Sequence, residues 1–98
     1  MPHIKISGRI KEKARVGRYI ESLAKELGIN RMWSKIIFVK FKTKLDNESQ
    51  GLCWGCKDEG YAEINIARTS DGEVIPYEMM MQTLAHEMVH AKQYIRGE

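Results

Sequence analysis

The sequence predicts a small α+β domain whose elements run strand, helix, strand, strand, helix. Three observations carry that prediction. Three segments alternate apolar and polar residues with a period of two, and two longer segments repeat their apolar residues at helical spacing. The chain has 98 residues, enough for one thin core, since a chain of this size buries only about 60–65% of its unfolded surface. A single domain over residues 1–98 follows, and no internal repeat or low-complexity tract divides it.

The first strand is expected at His3 to Ser7, where Ile4 and Ile6 share one face and Lys5 takes the other. A helix follows from about Lys11 to Leu27, because Val16, Ile20, Leu23 and Leu27 step by 4, 3 and 4 and form one buried stripe, and Gly28 ends it. Between Lys35 and Lys42 the pattern returns to two, with Ile37, Val39 and Phe41 inward and Lys40 and Lys42 outward. Residues 46–60 carry three glycines and several turn formers and are expected as a loop holding both cysteines. Tyr61 to Ala67 alternates again, with Ala62, Ile64 and Ile66 on one face, and Thr69-Ser70-Asp71-Gly72 turns the chain. The last helix is expected to start near Pro76, which suits a first helical position, and to run to about Ile95. Trp33 is expected to pack behind the first helix, Trp54 to flank a cleft or cap the core, and Met79, Met80 and Met81 to fill core and rim.

Composition excludes several classes. With 43% hydrophobic and 30% charged residues the chain is neither disordered nor membrane-embedded. Its longest aliphatic and aromatic run, Ile36-Ile37-Phe38-Val39, is far short of the roughly 20 residues that span a bilayer. The N-terminus has no apolar stretch after a basic start, so a cytoplasmic setting is the expectation. The net charge of +3 is a cancellation: residues 1–44 hold 12 Lys and Arg against 3 Glu, and residues 45–98 hold 4 Lys and Arg against 10 Asp and Glu. Either the two halves neutralise each other within one fold, or the basic half faces a polyanion such as DNA. Arg9, Lys11, Lys13, Arg15 and Arg18 around the first helix, with Lys40, Lys42 and Lys44 on the second strand, are the candidates for such contact.

The last helix contains the chemistry. His86-Glu87-Met88-Val89-His90 reads His-Glu-x-x-His. At about 100° per residue His86 and His90 lie about 40° and one turn apart, so both imidazoles address one metal ion from the same side. Glu87 is offset by about 100°, beside the ion, where its carboxylate can take a proton from a metal-activated water. Leu84, Met88 and Ile95 fall opposite the histidines, so the pair does not sit on the core stripe.

At these residues the chain resembles the zincin metallopeptidases, and the segment from Leu84 to Gln93 looks most like the small SprT-like and phage-encoded members. The resemblance implies a minimal zincin-like domain, with a small, mostly antiparallel or mixed sheet packed on the active-site helix. It implies a zinc-dependent peptidase with His86 and His90 as metal ligands and Glu87 as general base. A protein or peptide substrate would bind by strand addition, with Tyr61 to Ala67 as the receiving edge. SprT-like proteins act on DNA-bound proteins, so DNA contact would add to this activity.

Catalytic zinc normally has three protein ligands. The metzincin extension requires Gly at position 93 and His at position 96, where this chain has Gln93 and Arg96. Gluzincin-like and SprT-like proteins take the third ligand from beyond the helix, whereas this sequence stops at Glu98. Either the chain is a truncated or minimal form, or an upstream group such as His3, Cys53, Cys56, Asp58 or Glu59 folds over the site. A second reading makes Cys53, Cys56, His86 and His90 a closed structural zinc site in which Glu87 has no role, although the 29 residues between Cys56 and His86 far exceed the usual finger spacing of about 12–15. A third makes the chain a nucleic-acid-binding module led by residues 1–44.

Overall fold

The structure, a computed structural model, describes residues 1–97. The expected elements form close to their expected bounds: β1 (His3–Gly8), α1 (Lys13–Glu26) and β2 (Ile36–Lys42) come first. After a single 3-10 turn at Asp46–Glu48 follow β3 (Gly51–Cys56), β4 (Tyr61–Ala67), the short pair β5 (Thr69–Ser70) and β6 (Glu73–Val74), and α2 (Tyr77–Arg96). The fold is α+β, with a mixed four-stranded sheet in the order β1-β2-β4-β3. β1, β2 and β4 are parallel, and β3 runs antiparallel to β4 at the edge.

Register explains the layers. Ile4, Ile37 and Ala62 align across the sheet, as do Ile6, Val39, Ile64 and Cys53. Val16, Ile20 and Ala24 of α1 and Leu84, Met88 and Ile95 of α2 close over that face in one buried cluster. The other face carries an aligned row of Lys5, Phe38, Glu63 and Trp54. There Lys40 Nζ pairs with Glu63 Oε1 at 3.2 Å, joining the basic and acidic halves, and Phe38 meets Tyr61 edge-on at 6.3 Å.

Two expectations fail at the edge of the sheet. Residues 51–56 form a strand, and that strand, not Tyr61 to Ala67, is the edge beside α2; β4 lies inside, between β2 and β3. The glycines that signal a loop have a steric purpose instead. A Cβ at Gly51 would lie 2.5 Å from Thr83 Cγ2, and one at Gly55 would lie 2.5 Å from the Tyr61 carbonyl oxygen and 3.1 Å from Tyr94 Cβ. Neither glycine has a positive φ, so it is space and not backbone freedom that they supply. Trp33 also departs from expectation: it is 71% exposed, and Met32 packs on the core in its place.

The β5–β6 hairpin turns through Asp71 (φ 51°) and Gly72 (φ 80°), the paired left-handed conformation of a tight hairpin. It braces the start of β3, because the Asp71 N–H donates to Glu48 Oε2 at 2.7 Å and Ser70 Oγ donates to the Glu48 carbonyl at 3.0 Å. α2 follows Pro76 and ends at Gly97 (φ 75°), whose N–H donates to the Gln93 carbonyl. No helix among the described residues is long and apolar enough to cross a membrane.

The edge contact yields a test that separates packing from propensity. Valine is favoured in strands, yet Gly51→Val is expected to lower stability by about 1–3 kcal/mol, because its side chain must displace α2. Leu52→Val, on the exposed face of the same strand, should stay within about 0.5 kcal/mol of the parent. Urea unfolding of the two variants reads the difference, and an equal or higher midpoint for Gly51→Val refutes the packing account.

Candidate metal centre

The core stripe of α2 fixes where its histidines point. Met80, Leu84, Met88, Ala91 and Ile95 are buried against the sheet, which leaves His86 exposed and His90 half-buried on the flank. Glu87 lies between these two sides. It is 8% exposed, and a Cβ at Gly51 would come within 3.2 Å of its Cγ and Oε2. The bare backbone of Gly51 thus makes the room in which the Glu87 carboxylate sits.

The two imidazoles converge. His86 Nε2 and His90 Nε2 are 3.3 Å apart, with the rings inclined at 76° and their centroids 5.0 Å apart. Tetrahedral zinc with Zn–N bonds of about 2.0–2.1 Å holds two nitrogens about 3.3–3.4 Å apart, so the pair has the span of one tetrahedral edge. Without metal the same distance is a hydrogen bond, one Nε2–H donating to the other ring. His90 Nδ1 lies 3.2 Å from Gln93 Oε1. Because that oxygen only accepts, the contact places the His90 proton on Nδ1 and leaves the Nε2 lone pair facing His86.

Two cavities meet at Glu87. One, of about 470 Å³, is lined by Cys53, Glu87, His90, Gln93 and Tyr94 among others. The second, of about 440 Å³, is lined by Ser49, Gln50, Thr83, His86 and Glu87 among others. Gly51 and Glu87 belong to both, so a cleft follows the β3 edge along α2 with the carboxylate at its middle. The Cys53 thiol is pushed up to about 12 by burial and, secondly, by the negative charge of Glu87.

The sequence candidates for a third ligand separate clearly. Cys53 shares a cavity with His90 and Glu87. Cys56 aligns with Tyr61 and Ile36 on the opposite face of the sheet, because residues three apart on a strand point to opposite sides. Cys53 and Cys56 therefore do not join the histidines in one closed site. His3 lies on β1, at the other edge, three strand spacings or about 14 Å from β3. Asp58 and Glu59 are exposed in the β3–β4 turn and line neither cavity, and Glu98 lies outside the described residues. Among the described residues no group of three His, Cys, Asp or Glu is placed to hold a metal ion. The donors that the structure brings together are the pair His86 and His90.

Sequence reasoning missed Gln93 as a partner of His90 and the β3 edge as a wall of the site. The alternation of small residues in Gly51-Leu52-Cys53-Trp54-Gly55 was the available signal, since small residues at every second position mark a strand under a closely packed helix. A scan against protein-family models and searches of curated proteins and of solved structures found no match to this chain.

The Cys53 environment gives a pH test on metal-free protein. The unfolded thiol ionises near its ordinary 9.0 and the folded one near 12, so its stabilising contribution is complete below pH 9 and is lost as pH rises through 12. Cys53→Ala should therefore lose less stability than the parent between pH 9 and 12, as read by urea midpoints. An identical alkaline limb in both proteins contradicts the shift.

Proposed function

We propose that this chain is a zinc-dependent peptidase in which His86 and His90 hold the metal and Glu87 is the general base. The observation that supports it most is the 3.3 Å Nε2–Nε2 approach of the two histidines with Glu87 set between them and an edge strand. Together with the His-Glu-x-x-His pattern and its resemblance to zincins, this favours peptide-bond hydrolysis over a purely structural site. When bound, zinc supplies Lewis-acid stabilisation of charge at the scissile carbonyl and acidifies the attacking water.

The chain's own residues supply the rest. Among the described residues no strand pairs with the outer edge of β3, so an extended peptide can pair with it and lie in the cleft beside α2. In this reading the receiving strand is Gly51–Cys56. Glu87 takes the proton of the water whose oxygen adds to the carbonyl carbon, then delivers it to the amide nitrogen as the C–N bond breaks. Gln93 holds His90 in one tautomer. His86 and His90 are the residues that would hold the ion.

Metal analysis by mass spectrometry tests the ligand pair: about one zinc per chain is expected for the parent, and His90→Ala should retain none. A metal-free parent that folds equally well refutes the proposal. Glu87→Gln should keep its zinc and lose hydrolysis of an unstructured protein substrate by about 10²–10⁴-fold. Gln93→Ala should weaken zinc binding by about 10–100-fold, measured by competition with a chromogenic chelator, and unchanged affinity would remove Gln93 from the site.

A further inference from the structure

A cavity larger than either part of the cleft lies elsewhere. It measures about 710 Å³ and shares no residue with the cleft at Glu87. It opens where the parallel strands β1 and β4 end, between the β1–α1 connection, the β5–β6 hairpin and the first turn of α2. That end of a parallel sheet is the usual place for a ligand crevice in open sheets. Ile10, Val74, Ile75, Pro76 and Met80 make an apolar floor, and Arg9, Lys11, Lys13 and Arg68 stand around it. Among the described residues no Asp or Glu lines the cavity.

The charge here is not neutralised from within. Glu12, between Lys11 and Lys13, is 3.4 Å from Arg15 and does not line the cavity. Arg68 donates from one terminal nitrogen to Thr43 Oγ1 at 2.8 Å, while its Nε is buried with no acceptor. Lys42 and Lys44 leave the end of β2 beside this contact. Much of the excess positive charge of residues 1–44 thus gathers at one end of the sheet, around a concave apolar surface. Val74, at the rim, is 80% exposed.

A ligand complementary to both features has a flat apolar body and an anionic group. We infer that this cavity binds a nucleotide, its base against Ile75 and Met80 and its phosphate among Arg9, Lys11, Lys13 and Arg68. The volume is within the range of about 300–1,000 Å³ typical of small-molecule sites. The same nucleotide can arrive free or as one unit of a single strand, whose neighbouring phosphates would then meet Lys42 and Lys44.

The full chain is titrated at 50 mM salt with adenosine monophosphate by calorimetry, and with a fluorescent twelve-nucleotide single strand by anisotropy. Saturable binding of either supports the site; binding of the strand alone assigns the nucleotide to a polymer, and binding of both assigns a free ligand as well. Lys11→Glu with Lys13→Glu should weaken binding at least about tenfold and, for the strand, reduce the salt slope by about two. Val74→Glu should weaken it too. Lys25→Glu with Arg31→Glu makes the same charge change on exposed residues outside the cavity and should have little effect. The inference is overturned if neither probe binds at millimolar concentration, or if the two double variants weaken binding equally. Zinc content does not enter these measurements, so their outcome is independent of the peptidase proposal.

Discussion

The close approach of α2 to β3 is the constraint on which the rest of this structure depends. Gly51 and Gly55 have no side chain, and Cys53 between them has a small one, so the helix lies almost directly on the edge strand. Leu84 and Met88 are fully buried as a result, and Glu87 is carried to the strand backbone instead of into water. A bulkier inward face on β3 would push the helix outward and separate Glu87 from the strand. The same contact that completes a thin core thus forms the cleft.

The position of β3 also assigns the faces of the molecule. As an antiparallel edge strand it turns one flank to solvent beside His86, Glu87 and His90, while the parallel strands β1, β2 and β4 send their carboxyl ends to another region. The acidic residues of the second half include Glu87 at the cleft, and basic residues of the first half surround the apolar cavity at the strand ends. Lys40 and Glu63 join the two halves across the open face. The net charge of +3 therefore describes neither region.

Much of this was legible in the sequence. Strict alternation identified β1, β2 and β4, and helical spacing identified α1 and α2, because each of these elements buries one face against one core and its pattern is local. The histidine pair and Glu87 were legible for the same reason: separations of four and one on a helix set their relative directions whatever packs around them. β3 was not legible. Its glycines read as turn residues, since what requires them is tertiary: Thr83, about thirty positions away in the chain, crowds Gly51, and the backbone of the paired strand β4 together with Tyr94 crowds Gly55. Trp33 misled in the opposite sense, as an apolar residue that the fold leaves outside.

The sequence by itself thus determined the α+β class, the order of the main elements and the direction in which His86, Glu87 and His90 leave their helix. These are consequences of backbone periodicity, which acts over a few residues. Only the tertiary structure decided that β3 and not β4 is the edge, that Cys53 and Cys56 face opposite sides, that Gln93 orients His90, and that distant cations surround one cavity. Each of those depends on which strands pair and how closely a helix can approach them. Such contacts between residues far apart in the chain are set by packing of the whole core.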